Sequence, residues 1–258
     1  MKLACCQFDI AWENKPANHD RVAGMLRAAA LPAGSLVLLP EMFATGFSMN
    51  VRGIAEDTHG ATHIFLSRLS EELKLNLLAG VVRTAPDGNG MNEAVAFDPL
   101  GTELARYQKL HPFTFAGEDA HYAAGERVIR FSWNGFTVAP SICYDLRFPE
   151  PFRAASKGGV DCFAVLANWP ASRELPWVTL LQARAIENQA YVAGVNRCGD
   201  DPNARYAGRS LIIDPRGNIL ADGGSEPGVI SAEVDRASLL AFREKFPVLR
   251  DTKTDYGR

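Results

Sequence analysis

Three residues stand where an apolar run gives way to a loop, and each carries a different reactive group. Glu41 ends Ser35-Leu36-Val37-Leu38-Leu39-Pro40-Glu41, and Lys109 closes Leu104-Ala105-Arg106-Tyr107-Gln108-Lys109. Cys143 follows Phe136-Thr137-Val138-Ala139-Pro140-Ser141-Ile142 and precedes the polar turn Tyr144-Asp145-Leu146-Arg147. A carboxylate against apolar walls loses solvation, which raises its pKa and lets it act as a base near neutrality. A thiol at a strand-to-helix turn is presented to solvent, and the next backbone N–H is left free to hold an oxyanion. An ammonium beside that thiol lowers the thiol pKa and can hold the same oxyanion. Taken singly, each residue also has an ordinary reading: a solvated strand end, a buried hydrophobe-like cysteine, a solvated lysine. Taken together they are a base, an oxyanion donor and a nucleophile, a complete set for acyl transfer.

The elements that must position this set are visible as hydrophobic pattern. Strand-like runs recur at Leu3–Phe8, Ser35–Leu39, Asn76–Val82, Ala94–Phe97, Thr137–Ile142, Cys162–Ala167, Tyr191–Val195 and Ser210–Ile213. Several are continuous rather than alternating, as expected of strands covered on both faces. Helical spacing falls between them, at Asn18–Ala30, Thr62–Leu73, Pro149–Lys157 and Pro176–Ala190. Asp98-Pro99-Leu100-Gly101 and Asp214-Pro215-Arg216-Gly217 read as hairpin turns. The mixture predicts an α/β protein whose sheets hold both parallel and antiparallel strands, with helices packed outside.

Composition narrows the partners. The 258 residues carry a net charge of −3 at pH 7, which argues against a nucleic-acid or anionic-membrane binder. No apolar run approaches the roughly 20 residues that span a bilayer, and Asp9 and Glu13 interrupt the apolar start. Cys5, Cys6, Cys143, Cys162 and Cys198 form an odd, scattered set, a poor disulfide framework. A cytoplasmic protein with reduced thiols is the expectation. No repeat, linker or low-complexity stretch divides the chain, so one domain over residues 1–258 is expected. A P-loop, a G-x-G-x-x-G fingerprint, a G-x-S-x-G elbow and a C-x-x-C pair are absent. His59 and His63 are four residues apart but lack the glutamate of H-E-x-x-H, and read as incidental.

Leu39-Pro40-Glu41-Met42-Phe43, Tyr107-Gln108-Lys109-Leu110-His111 and Ile142-Cys143-Tyr144-Asp145-Leu146-Arg147-Phe148-Pro149 resemble the three signature segments of the carbon–nitrogen hydrolase, or nitrilase, superfamily. Ala167-Asn168-Trp169-Pro170, the stretch 182–192 and Arg243-Glu244-Lys245-Phe246-Pro247 agree in the same order. The resemblance is greatest to the bacterial omega-amidase branch. It implies a four-layer αββα sandwich of two mixed sheets and a Glu-Lys-Cys triad, here Glu41, Lys109 and Cys143. It implies a second active-site glutamate in the loop after the lysine, Glu118 in first place and Glu126 otherwise. It implies no metal or organic cofactor, and a homodimer formed through helices beside the site.

The chemistry that follows from the resemblance is hydrolysis of a small amide through a cysteine thioester. The Tyr144 backbone N–H shares the oxyanion with Lys109. The expected substrates are the terminal amides of 2-oxo dicarboxylic acids, 2-oxoglutaramate or 2-oxosuccinamate. Their distal carboxylate calls for a cation, and Arg147, Arg173 and Arg197 are the candidates. Phe43, Phe115 and Trp169 are candidate pocket walls, with a core role as the alternative for each. The competing activities are amide hydrolysis of deaminated glutathione, a carbamoylase or a nitrilase, and beyond these a non-catalytic binding protein on the same fold.

Overall fold

The computed structural model describes residues 1–85 and 87–253. Its first half runs β1 (Lys2–Gln7), α1 (Lys15–Ala29), β2 (Leu36–Leu38), α2 (Val51–Ile54), α3 (Ala61–Leu73), β3 (Asn76–Thr84), β4 (Gly90–Phe97) and β5 (Glu103–Gln108). The second half runs β6 (Phe131–Trp133), β7 (Phe136–Ile142), α4 (Pro149–Ser156), β8 (Cys162–Ala167), α5 (Glu174–Asn188), β9 (Tyr191–Asn196), β10 (Cys198–Asp200), β11 (Arg205–Ala207), β12 (Leu211–Ile213), β13 (Ile219–Asp222), β14 (Gly228–Glu233) and α6 (Arg236–Lys245).

Two six-stranded mixed sheets result, ordered β14-β1-β2-β3-β4-β5 and β13-β12-β9-β8-β7-β6. Strand periodicity decides what each face buries. In β1, Leu3 and Cys5 join Leu36, Leu38 and Leu78 against Val138, Ile142, Ala164 and Leu166 of the other sheet. The alternate residues Ala4 and Cys6 turn outward to Val22, Leu26, Leu66 and Leu69 of α1 and α3. On the second sheet, Ala139, Phe163, Val165 and Val192 face Phe152, Leu181 and Ala185 of α4 and α5. Helix, sheet, sheet and helix are therefore stacked in four layers, the expected αββα sandwich. Adjacent Cys5 and Cys6 lie on opposite faces of β1, one in each apolar layer.

Local chemistry explains the element ends. Asn14 caps α1, its side chain accepting from Ala17 N, and Pro16 occupies the first turn. The helix thus begins before the apolar pattern does. Likewise α5 starts at Glu174, ahead of Pro176. At the β4–β5 turn Asp98 accepts from Leu100 N and Thr102 N, and Gly101 adopts φ +76°. Asp214 and Gly217 do the same between β12 and β13. The elements not visible in the sequence are α2, α6, β6, β10, β11, β13 and β14. Most are only three or four residues long, too short to show a period.

Gly80 in β3 carries a steric constraint that reaches the site. A Cβ there would lie 2.5 Å from Glu41 Cα and 2.6 Å from the Pro40 carbonyl oxygen. Phe43 N donates to Gly80 O at 3.0 Å, and Gly80 N to Pro40 O at 3.2 Å. The turn bearing Glu41 is zipped onto β3 at a distance only glycine allows. Gly80→Ala is expected to destabilise by about 2 kcal/mol through overpacking, a fall of roughly 4–8 °C in Tm for a chain of this size. Thermal unfolding followed by circular dichroism measures it, and an unchanged Tm would contradict the close approach.

Candidate active site

Glu41, Lys109 and Cys143 each sit just past the end of a strand: β2, β5 and β7. The first two strands belong to one sheet and the third to the other, so the sandwich brings the three groups together from both inner layers. Two of the turns use backbone conformations that side chains disfavour. Met42 has φ +45° and Cys143 has φ +44°. Cys143 opens a 3₁₀ turn, Cys143–Arg147, whose first N–H groups have no acceptor within the turn. That is the geometry of a nucleophile elbow.

Lys109 Nζ lies 2.8 Å from Glu41 Oε1 and 2.8 Å from Glu118 Oε2, and all three side chains are buried. Glu118 also accepts from Phe113 N. Asn92 Nδ2 bridges Glu41 Oε1 at 2.8 Å and Glu118 Oε1 at 2.9 Å. Asn168, just past β8, donates its backbone N–H to Glu41 Oε2 at 2.9 Å, and its Nδ2 donates to the Glu41 carbonyl at 2.6 Å. Glu118 is thus the glutamate that joins the cluster, while Glu126 is exposed and outside it.

Beneath the elbow, the buried Asp145 carboxylate accepts from Ile142 N at 3.0 Å, Tyr107 Oη at 2.7 Å and His111 N at 2.9 Å. Asp145 ties β5, the His111 loop and the start of the elbow to one another. It satisfies donors that the sharp turn leaves free.

Burial, then the adjacent Glu41 charge, pushes the Cys143 thiol well above the ordinary cysteine value, while Lys109 pulls it the other way. The thiol is therefore protonated at neutral pH, and attack requires a base. Burial pulls the Lys109 ammonium down, but Glu118 and Glu41 outweigh it and the net direction is up. Lys109 therefore stays charged at neutral pH. The other cysteines are buried, with Cys6 pushed up to about 12 and Cys198 to about 11 by desolvation.

Cys143 lies at the foot of a cavity of about 280 Å³. Tyr144, Phe115, Trp169, Arg147 and Arg173 are among the residues that line it. The Arg147 guanidinium stacks 4.9 Å from the Trp169 ring, and Arg173 lies 5.3 Å from Phe113. Phe115 is 86% exposed and forms part of the rim. Two candidates are corrected. Phe43 is fully buried in the layer between helix and sheet, with its ring against His19 and Phe65. It follows Glu41 by two residues, and the tight turn at Met42 sends it away from the cavity. Arg197 is also fully buried, paired with Asp9 and Asp201 and stacked 4.4 Å from Tyr206, so its cation faces protein rather than cavity. Tyr206 itself lines the cavity. Asn92, Asp145, Asn168 and Tyr206 were not anticipated. Asn92 and Asn168 share one signal, an amide side chain within or just past a run of buried strand residues.

Sequence and fold comparisons place the chain among known proteins. Residues 2–244 match the carbon-nitrogen hydrolase family. The chain is 40% identical over 258 residues to omega-amidase YafV of Yersinia enterocolitica, covering 98% of this chain and 96% of that one. It is 33% identical over 254 residues to 2-oxoglutaramate amidase of Bacillus subtilis, covering 98% of each. Among solved structures it resembles a CN-hydrolase superfamily protein of Xanthomonas campestris that carries an arsenic adduct in its active site. The TM-score is 0.91 at 33% identity, covering 100% of this chain and 99% of that one. On sequence and fold alike, the chain belongs to the carbon–nitrogen hydrolase, or nitrilase, superfamily.

Proposed function

We propose that the protein is an omega-amidase, cleaving the terminal amide of a small 2-oxo dicarboxylic acid with Glu41, Lys109 and Cys143 as its catalytic residues. The observation that carries this reading is the cavity: a thiol at its foot beside a buried Lys109–Glu41 pair, and two arginines in its walls. Neither Arg147 nor Arg173 forms an ion pair among the described residues. Among the described residues they are, apart from Lys109, the only charged side chains in the lining, and no carboxylate stands with them. An anion is the complement of such walls. The relatives named omega-amidase and 2-oxoglutaramate amidase support the same substrate class.

Glu41 takes the thiol proton as Sγ attacks the amide carbon, and the carbonyl electrons move to oxygen. Lys109 and the Tyr144 N–H hold the oxyanion. As it collapses, the C–N bond breaks, the proton on Glu41 goes to nitrogen and ammonia leaves, with a thioester on Cys143. Water then attacks the thioester while Glu41, with Glu118 beside it, takes the water proton. The acid departs and the thiol is restored. The net reaction is amide plus water to acid plus ammonia.

The free thiols fit a reducing, cytoplasmic setting. Exposed Leu175 and Ile186 on α5 and Phe246 beyond α6 suit a homodimer interface.

Ammonia release tests the assignment over a panel of 2-oxoglutaramate, 2-oxosuccinamate, deaminated glutathione and an uncharged short amide. The 2-oxo dicarboxylic monoamides are expected to be turned over fastest, and no release from either would overturn the reading. Cys143→Ala is expected to lower kcat at least about 10³-fold, because the nucleophile and not merely a donor is lost. Arg173→Met and Arg147→Met are expected to raise KM for the anionic amide by roughly 10–100-fold, the loss of a charge-assisted hydrogen bond. KM for the uncharged amide should stay near that of the parent protein. A parallel rise for both substrates would place the arginines outside carboxylate recognition.

A further inference from the structure

Asn92 lies in β4, is 1% exposed, and faces the buried charge cluster. Its Nδ2 places both protons there, one on each glutamate. Because both partners are carboxylates, the amide orientation is determined: the flipped amide would set Oδ1 against two anions. Oδ1 has no hydrogen-bond partner among the described residues. A buried amide that leaves its own carbonyl unsatisfied is placed for what its NH₂ group does. The Asn92 backbone carbonyl accepts from Lys109 N at 2.9 Å. One residue thus touches all three charged members of the cluster.

The remaining acceptor sites on Glu41 follow from its hydrogen bonds. Each carboxylate oxygen offers two lone pairs. Oε1 accepts from Lys109 Nζ and from Asn92 Nδ2, and is full. Among the described residues, Oε2 accepts from Asn168 N alone. We propose that Asn92 is a positioning residue that closes Oε1 to further protons, directs the Cys143 proton to Glu41 Oε2, and keeps both glutamates ionised around the single Lys109 charge. In that step the S–H bond breaks, the Oε2–H bond forms, and the S–H electron pair stays on Sγ for the attack. The inference rests on Glu41 being the base. The titratable groups facing the cluster are Lys109 from β5, Glu118 from the following loop, Cys143 from the elbow and Tyr122. The Tyr122 phenol is raised by burial and by the two glutamates, and donates to Ser48 O.

The test is the pH profile of iodoacetamide alkylation at Cys143, read by mass spectrometry, which needs no substrate. In the parent protein the rate should fall on the acid side as Glu41 takes up a proton. Glu41→Gln should remove that limb and slow alkylation at pH 7 at least about tenfold. Losing a donor disfavours the ionised carboxylate, so Asn92→Ala should move the limb up by about one pH unit, a tenfold loss of rate below it. Asn92→Asp keeps the shape but adds a third anion, and should move it further. Asn92→Ser retains one donor in a smaller side chain; it should fall between and serves if the alanine variant does not fold. With substrate, kcat should fall while KM holds, which general loosening of the core would not produce. A limb that stays in place in the folded Asn92 variants while Glu41→Gln removes it overturns the inference and leaves the base intact. A Glu41→Gln profile identical to the parent overturns both.

Discussion

An ammonium held between two carboxylates away from water is the interaction on which the rest of the protein depends. Lys109, Glu41 and Glu118 are each at most 1% exposed. Removing such charges from water costs several kcal/mol per ion, which their attraction repays only if the remaining lone pairs are also satisfied. One cation cannot balance two anions, so neutral donors complete the set: Asn92 Nδ2, Asn168 N and Phe113 N. Those donors come from β4, the end of β8 and the loop after β5. The cluster is therefore a constraint on several separate elements at once, and it can form only when both sheets are in register.

The fold meets that constraint with strand ends, because a strand fixed by its neighbours delivers its last residue to a defined point. β2 is held between β1 and β3, and β7 pairs in parallel with β8, so neither can slide. The two reactive turns then depart from ordinary backbone at Met42 and Cys143, at about 1–3 kcal/mol each. Their surroundings impose the strain: Gly80 lets β3 close on one turn, and Asp145 gathers the free donors of the other.

The sequence made the frame and the reactive groups legible for related reasons. Glu41, Lys109 and Cys143 are polar or reactive residues at the end of apolar strands, and the hydrophobic pattern marks strand ends well. Continuous runs such as Cys162–Ala167 marked strands covered on both faces, whereas the four-layer order came from the resemblance to the nitrilase superfamily. Partners across the sheets were not legible. Asn92 meets Glu41 across 51 positions and Asn168 across 127, and nothing local to either residue records that. Phe43 and Arg197 failed for the converse reason. The family resemblance put Phe43 beside the pocket and charge suggested Arg197, but Phe43 packs against His19 and Phe65, and Arg197 pairs with Asp9 and Asp201. The Cys198–Ala207 hairpin, which brings Tyr206 to the cavity, has strands of three residues and leaves no period to detect.

The placement of charge around the cavity decides what it can attract. Lys109, Arg147 and Arg173 line it, while Glu41 and Glu118 stand behind Lys109 and outside the lining. An anion in this cavity meets the three cations directly and the two glutamates only behind Lys109, in a site whose low dielectric strengthens each interaction. This pattern needs no moving part: one fixed arrangement of ions and neutral donors presents cations to the cavity and keeps the acids behind them.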